Sequence, residues 1–182
     1  MQTLTIDRSK VWTIEDYLQL DVELCQLIDG NLVMTSAPNT EHQRIIGKLH
    51  ILLHQFLGDR EEVLLSPIDV FLDKKNIYHP DIVFVTGENS HLISERGLEG
   101  PPDLVIEVIS PSNSFVDRYT KKKAYFKFGV KEYWIVDPAN KSLEIYLLSQ
   151  KNRDEPHSFV VNEGKVTSTI IKNLNFDLKE LF

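Results

Sequence analysis

Apolar residues recur at helical spacing over one long segment of the chain. This stripe spans residues 40–57 and consists of Ile45, Ile46, Leu49, Leu52, Leu53 and Phe56. Intervals of three and four residues predict an amphipathic helix with one face on the core, and Gly58 is well placed to end it. Shorter helices are predicted over residues 13–20, with Thr13 as N-cap, and over residues 117–128.

Most of the remaining apolar runs are short and predict β-strands. Residues 25–35 are typical of a hairpin with Asp29-Gly30 at its turn. Residues 63–72 and 77–85 are expected to form two strands around a turn at residues 73–76. Further strands are predicted over residues 103–110, 132–137 and 142–148.

Turn signals and polar runs complete this first interpretation of the chain. Residues 86–102 are polar and predict a long loop that ends at Pro101-Pro102. The segments SFVV and KVTSTI flank Asn162-Glu163-Gly164, which predicts another hairpin. The final residues, NFDLKELF, are expected to form a short helix.

The order of elements predicts an α/β (α+β) fold in which helices flank a mixed central β-sheet and extra β-hairpins are attached. The 182 residues contain no internal repeat or linker, so a single domain over residues 1–182 is expected. Residues 1–20 would be an N-terminal extension, and residues 139–182 a C-terminal β extension.

Composition restricts the classes of function. The chain lacks an apolar run of membrane-spanning length and begins without the apolar block of a secretory signal, so a cytoplasmic protein is expected. Its one cysteine, Cys25, excludes an internal disulfide and is expected to be buried. The formal net charge of -7 is unusual for a nucleic-acid-binding protein, although metal-site carboxylates contribute to it and a local basic patch is compatible with it.

Two acidic residues stand out because they lie in apolar strands. Asp81 opens the strand DIVFV, and Glu107 lies inside LVIEVI. Strand alternation places Asp103, Val105, Glu107 and Ile109 on one face. An ionised carboxylate in a central strand is costly to desolvate unless it is paired or binds a cation.

One lysine of a lysine-rich helix shares the side expected to face the core. Asp117, Lys121 and Tyr125 are each four residues apart. With about 100° per residue, Lys121 lies on the same side as Asp117, Ala124 and Phe128. The other lysines point elsewhere and are expected to form an exposed face, with phosphate contact as the alternative: Lys122, Lys123 and Lys127.

Asp81, Glu107 and Lys121 together provide the minimum set for metal-assisted phosphodiester hydrolysis. The two carboxylates would hold Mg²⁺ or Mn²⁺, cations that accept oxygen ligands. The metal would polarise the phosphate and help to generate hydroxide from water. The lysine would orient the water or stabilise charge that develops in the transition state.

The sequence Pro80-Asp81, followed by an acid on a later strand, resembles the PD-(D/E)XK nuclease superfamily. More closely, the chain is similar to the Uma family of bacterial restriction-endonuclease-like proteins. The resemblance covers nearly the whole chain and is carried by LIDGNLVM (27–34), EHQRIIGKL (41–49), HPDIVFV (79–85), PPDLVIEVISPSNS (101–114), DRYTKKKAYFKFGVKEYWIVDP (117–138) and the tail.

The resemblance implies a restriction-endonuclease-like fold and a site with two departures from the superfamily pattern. Ile109 occupies the position of the usual motif lysine, and Lys121, four residues before Tyr125, matches the displaced lysine of the family. Gln26 stands where the family often has a glutamate. The helix that carries His42 borders the active site in the superfamily, which implies an auxiliary role for this histidine.

Several alternatives remain open at this point. The favoured function is a Mg²⁺-dependent DNA endonuclease; the alternatives are RNA cleavage and a catalytically silent nucleic-acid-binding or protein-interaction module. Glu107 and Lys121 could form a plain buried ion pair, and Asp117 an N-cap or a partner of Lys121. Asp69 and Asp103 are expected to have structural or supporting roles. A homodimer is a hypothesis that rests on the resemblance and on strand edges that need covering.

Overall fold

The computed structural model describes residues 9–20, 25–35, 37–110, 114–150 and 154–182. The first eight residues of the predicted N-terminal extension and residues 111–113 of the segment PPDLVIEVISPSNS lie outside this description. Within the described residues, no helix is both long and apolar enough to cross a membrane.

The described residues contain three α-helices and fourteen strands. The helices are α1 (Ile14–Tyr17), α2 (Thr40–His54) and α3 (Lys122–Phe128). The strands are β1 (Cys25–Ile28), β2 (Asn31–Met34), β3 (Glu62–Leu65), β4 (Val70–Asp73), β5 (Asn76–Tyr78), β6 (Ile82–Val85), β7 (Ile93–Ser94), β8 (Gly97–Leu98), β9 (Leu104–Val108), β10 (Glu132–Asp137), β11 (Ser142–Leu147), β12 (Ser158–Val161), β13 (Lys165–Thr167) and β14 (Asn175–Asp177).

The central sheet has six strands in the order β12-β11-β10-β9-β6-β3. Its strands β9 and β10 are parallel, and its other neighbours are antiparallel. The predicted mixed sheet and the α+β class are therefore confirmed. Strands β9 and β10 are buried on both faces, as expected for the centre of a covered sheet.

A second six-stranded sheet, in the order β2-β1-β5-β4-β8-β7, was not predicted. Residues 63–72 and 77–85 are not the two continuous strands expected from their apolar runs. Each splits near a proline, Pro67 or Pro80, and gives one strand to each sheet. Proline has no N–H for a ladder, so it ends the pairing and allows the chain to change sheets.

The polar segment 86–102 is only partly a loop, contrary to expectation. It contains a 3₁₀ turn, Ser90–Leu92, and the short strands β7 and β8. Leu98 of β8 belongs to the second sheet and is buried in the core between that sheet and the central sheet. A few apolar side chains are therefore enough to fix a segment whose average composition is polar.

The C-terminal region also differs from its prediction. The prediction of a hairpin around residues 162–164 is wrong, because β12 pairs with β11 and β13 pairs with β14. The expected terminal helix is strand β14 followed by one 3₁₀ turn, Leu178–Glu180.

Two cores cover the two faces of the central sheet. On one face, Leu49 of α2 packs with Ile82 and Ile106 and with the C-terminal segment. On the other face, Val83 and Val105 pack with α3 and the second sheet. Helices α2 and α3 therefore approach the ends of β6 and β9 from opposite sides.

The three helix predictions hold with changes in their bounds. Thr13 caps α1 as predicted and forms a capping box with Asp16. Helix α2 ends at His54 rather than near residue 57. The predicted helix over residues 117–128 begins as a π-helical segment, Val116–Lys121, which continues into α3. Phe128 is half-buried rather than in the core.

Candidate active site

Asp81 and Glu107 face each other across two neighbouring strands. The antiparallel ladder of β6 and β9 pairs Ile82 with Ile106, so Asp81 and Glu107 occupy the next positions of the same register. The Val108 N–H donates to Asp81 Oδ2 at 2.7 Å. One oxygen of Asp81 therefore binds the backbone of β9, and its other oxygen is directed elsewhere.

His42 reaches Asp81 from the first turn of α2. Its Nε2 lies 3.0 Å from Asp81 Oδ1. The helix start is fixed because Asn39 Oδ1 accepts the His42 N–H at 2.9 Å. The N-cap thus determines where His42 stands relative to the carboxylate.

Lys121 bridges the other two carboxylates of the cluster. Its Nζ lies 2.9 Å from Glu107 Oε2 and 3.1 Å from Asp117 Oδ1. Tyr125 donates its hydroxyl to Glu107 Oε1 at 2.9 Å. Glu107 and Lys121 are only 2% and 6% exposed. The predicted partnership of Asp117 with Lys121 is present, whereas the helix begins before Asp117 and leaves it no N-cap role.

The burial of this cluster changes its acid–base properties. Burial, together with the nearby charges of Asp117 and Asp81, raises the pKa of Glu107 to about 8, although Lys121 opposes the shift. Burial also raises the pKa of Asp117. Burial alone would lower the pKa of Lys121, but Glu107 and Asp117 outweigh it and raise that pKa. The lysine therefore remains cationic in this pocket.

The π-helical segment supplies two of these side chains on one buried side. Asp117 and Lys121 belong to it, and Tyr125 follows one turn later in α3. The Asp117 carbonyl accepts the Tyr133 hydroxyl at 2.9 Å, which ties the wide turn to β10. Single π turns inside helices occur frequently at functional sites.

A second group of side chains supports the backbone just before Asp81. Gln26 is buried, and its Oε1 accepts the His79 N–H at 3.1 Å. His79 Nε2 lies 2.7 Å from Asp69 Oδ1 and 3.1 Å from the Tyr17 hydroxyl. The supporting role expected of Asp69 fits this contact. His79 and Tyr17 were missed, although the position of His79 beside Pro80-Asp81 was a signal for the first of them.

One pocket of about 770 Å³ is lined by seven of these residues: Asp81, Glu107, Asp117, Lys121, His42, Gln26 and His79. The acids Glu41 and Asp137 are also at its wall. Among the described lining residues, Lys121 is the one lysine or arginine. The pocket therefore carries a surplus of acidic groups, which favours occupation by a cation.

The cluster could hold a divalent cation only through a small number of protein ligands. Within the described ranges, no three His, Cys, Asp or Glu side chains come close enough to form a ready-made metal centre. Mg²⁺ keeps several waters and binds through one or two carboxylates plus substrate phosphates. Asp81 and Glu107, at neighbouring register positions of β6 and β9, are the two carboxylates of the cluster that could hold such an ion.

Further polar side chains lie away from this cluster. Asp103 accepts from Thr86 and Asn89 and from Lys131 Nζ at 2.6 Å, so its role is structural. His50 and His54 stack edge to face on α2 with centroids 5.8 Å apart. Cys25 is buried as expected, and burial raises the pKa of its thiol.

Comparisons with known proteins show the family of the chain and support its fold. Residues 14–178 match the sequence model of Uma2, a family described as putative restriction endonuclease. An uncharacterized protein of Synechocystis sp., sll1609, is 24% identical over 140 residues, which cover 74% of this chain and 79% of that protein. The crystal structure of a putative nuclease of family DUF820 from Anabaena variabilis superposes with a TM-score of 0.75 at 19% identity, over 93% of this chain and 97% of that chain.

Proposed function

The chain belongs to the Uma2 family of restriction-endonuclease-like proteins, and from this premise we propose that it is a metal-dependent endonuclease that hydrolyses phosphodiester bonds in DNA. The observation that carries the proposal is the meeting of Asp81, Glu107 and Lys121 in one pocket. Asp81 lies immediately before β6, Glu107 lies in β9 and Lys121 lies in the π-helical segment. Their combination matches the needs of phosphoryl chemistry.

Asp81 and Glu107 are the residues that would hold Mg²⁺ or Mn²⁺. The surplus of carboxylates in the pocket supports this assignment, because a divalent cation would offset their mutual repulsion. When bound, the ion would polarise a phosphate oxygen and lower the pKa of a water molecule. Binding would also favour the ionised form of Glu107, whose pKa is raised by burial in the metal-free protein.

The chain's own side chains would position the reactants. Lys121 carries a charge that can stabilise the oxyanion formed when water attacks phosphorus and the P–O bond to the leaving oxygen breaks. Tyr125 holds one oxygen of Glu107, and His42 holds one oxygen of Asp81. Preorganised ligands of this kind need not reorient during the reaction.

Cleavage assays with purified protein would test the proposal. Duplex, nicked, branched and single-stranded DNA, together with RNA, would be incubated with Mg²⁺ or Mn²⁺. Loss of cleavage in both Asp81→Asn and Lys121→Met, with retention in the exposed-site control Lys172→Ala, is the expected result. Cleavage that survives both site changes would overturn the assignment, and exclusive cleavage of RNA would replace DNA as the substrate.

One observation favours a second candidate, a catalytically silent binding module on the same fold. Both oxygens of Glu107 already have protein partners, Lys121 and Tyr125, so the group could serve as a plain buried ion pair. Titration calorimetry with Mn²⁺ separates the candidates. Binding that Asp81→Asn and Glu107→Gln abolish supports the enzyme, whereas absence of binding to the parent protein supports the silent module.

A further inference from the structure

The helical segment that supplies the site also presents a row of exposed side chains on its outer side. Phe115 is 70% exposed and Tyr119 is 61% exposed. Their ring centroids are 4.9 Å apart at an interplanar angle of 34°. Lys123 and Lys127 continue the row at intervals of four residues and are also exposed. These four residues are called the outer stripe below.

The outer stripe begins at the rim of the acidic pocket. Phe115 lies between Ser114 and Asp117 in the sequence, and both of these line the pocket. Asp117 and Lys121 face inward from the same helical turns. A nucleic-acid strand that lay along the outer stripe would therefore reach the rim of the pocket at its Phe115 end.

The chemistry of the outer stripe matches unpaired nucleotides. A base can stack on an exposed aromatic ring whatever its sequence, and lysines can neutralise the phosphates that follow. Isolated exposed apolar residues are ordinary, but here two neighbouring rings and two exposed lysines follow one another along one helical segment in a chain of net charge -7. Lys122 is half-buried, with Nζ 4.1 Å from the centroid of the Tyr146 ring, whereas Lys127 remains exposed although its Nζ lies 4.7 Å from the centroid of Phe128.

We infer that the outer stripe binds unpaired nucleotides, with bases on Phe115 and Tyr119 and phosphates at Lys123 and Lys127. The protein then prefers DNA with a single-stranded region, such as a flap, gap or frayed end, over continuous duplex. Where it concerns cleavage, the inference rests on the proposed function, because it assumes that the pocket cuts the bound DNA. The binding itself can be measured without cleavage.

Fluorescence anisotropy with labelled single-stranded, flapped and duplex oligonucleotides tests the inference in an Asp81→Asn background with EDTA. Phe115→Ala and Tyr119→Ala should each weaken single-strand binding roughly 5- to 150-fold, the range reported for one stacked base, and change duplex binding far less. Tyr119→Phe should bind like the parent. Phe159→Ala, which removes a comparably exposed ring (60%) from β12, is the matched control.

The lysines have a separate signature. Lys123→Ala and Lys127→Ala should each reduce the slope of log affinity against log salt concentration by about 1, the contribution expected of one phosphate contact. Lys172→Ala, at an exposed position in the C-terminal segment, should leave the slope unchanged. Equal slopes for the stripe variants and this control would contradict the phosphate contacts.

The outcomes separate this inference from the proposed function. The unmodified protein could bind single strands through Phe115 and Tyr119 and yet show no metal-dependent cleavage. This result would support nucleotide binding by the outer stripe and reject the proposed nuclease function. Cleavage and binding that are unaffected by Phe115→Ala and Tyr119→Ala would overturn the stripe and leave the nuclease intact. A dimer in sedimentation velocity that both changes abolish, with unchanged oligonucleotide binding, would assign the surface to a second copy and overturn the inference.

Discussion

Lys121 and Glu107 form an ion pair of 2.9 Å whose two side chains are almost completely shielded from solvent. A buried pair of this kind is sensitive to the loss of one partner, because the remaining charge has no solvent to stabilise it. The pair connects the π-helical segment to β9, and Asp117 shares the same ammonium. The cluster therefore couples the helix to the sheet at the proposed site.

Lys121→Met should lower the free energy of unfolding by about 3 kcal/mol in metal-free buffer, because it leaves two buried acids without their cation. The double variant Glu107→Gln/Lys121→Met should recover part of this loss, with a coupling energy of about 1–3 kcal/mol. Urea denaturation of the parent, both single variants and the double variant would give the value. Strict additivity of the two changes would argue that the pair contributes nothing specific.

The stability of the metal-free protein should depend on the ionisation of Glu107. Its folded-state pKa of about 8 lies above the ordinary value of 4.5. This group therefore contributes stability that is present below about pH 4.5 and is lost as the pH rises through about 8. The free energy of unfolding of the parent should therefore fall as the pH rises through this window, relative to that of Glu107→Gln.

Urea denaturation in EDTA at several pH values from 5 to 8.5, spanning roughly the window set by linkage, would measure this dependence. Glu163→Gln removes an exposed acid and should follow the parent at every pH. Parallel curves for the parent and Glu107→Gln would contradict the raised pKa.

Gln26→Glu should strengthen binding of Mn²⁺ by roughly tenfold, because it adds a carboxylate to the pocket that would hold the ion. Gln26 is buried at the pocket wall, and a glutamate oxygen could keep the contact with the His79 N–H. Titration calorimetry would give the affinity. Gln43→Glu adds the same charge at an exposed pocket-lining position and should have a smaller effect; equal gains would point to a general charge effect.

His42→Ala should weaken Mn²⁺ binding about 10- to 100-fold, the usual effect of removing a residue that orients a metal ligand. The reason is the 3.0 Å contact of its ring with Asp81. His54→Ala, an exposed change at the end of the same helix, is the control. Unchanged affinity in His42→Ala would restrict this histidine to a structural role.

Glu132→Ala should destabilise the attachment of the C-terminal segment by about 3 kcal/mol, since buried donors would lose their acceptor. Glu132 is fully buried and accepts from Trp134 Nε1, from Ser168 Oγ and from both the N–H and the hydroxyl of Thr169. Urea denaturation would measure the loss. Glu163→Ala, an exposed change, should alter stability by less than about 0.5 kcal/mol.

Local patterns in the sequence predicted the features that depend on neighbouring residues. The spacing of apolar residues identified α2, the composition of the turn identified the hairpin at Asp29-Gly30, and Thr13 identified the start of α1. The inward direction of Lys121 also followed from helical spacing and survives the π-helical turn. The prediction that Lys121 lies near Glu107, however, required the family resemblance as well as the helical spacing.

Tertiary structure alone decided which strands pair and which distant side chains meet. A continuous apolar run indicates that a segment is buried but does not indicate which sheet the segment joins. The division of residues 63–72 and 77–85 between two sheets therefore could not be predicted from these runs. The support of Asp81 by His79, Asp69 and Tyr17 depends on that division, because Asp69 precedes β4 and His79 links β5 to β6. Contacts between residues far apart in sequence are set by the whole chain's packing, and no local pattern encodes them.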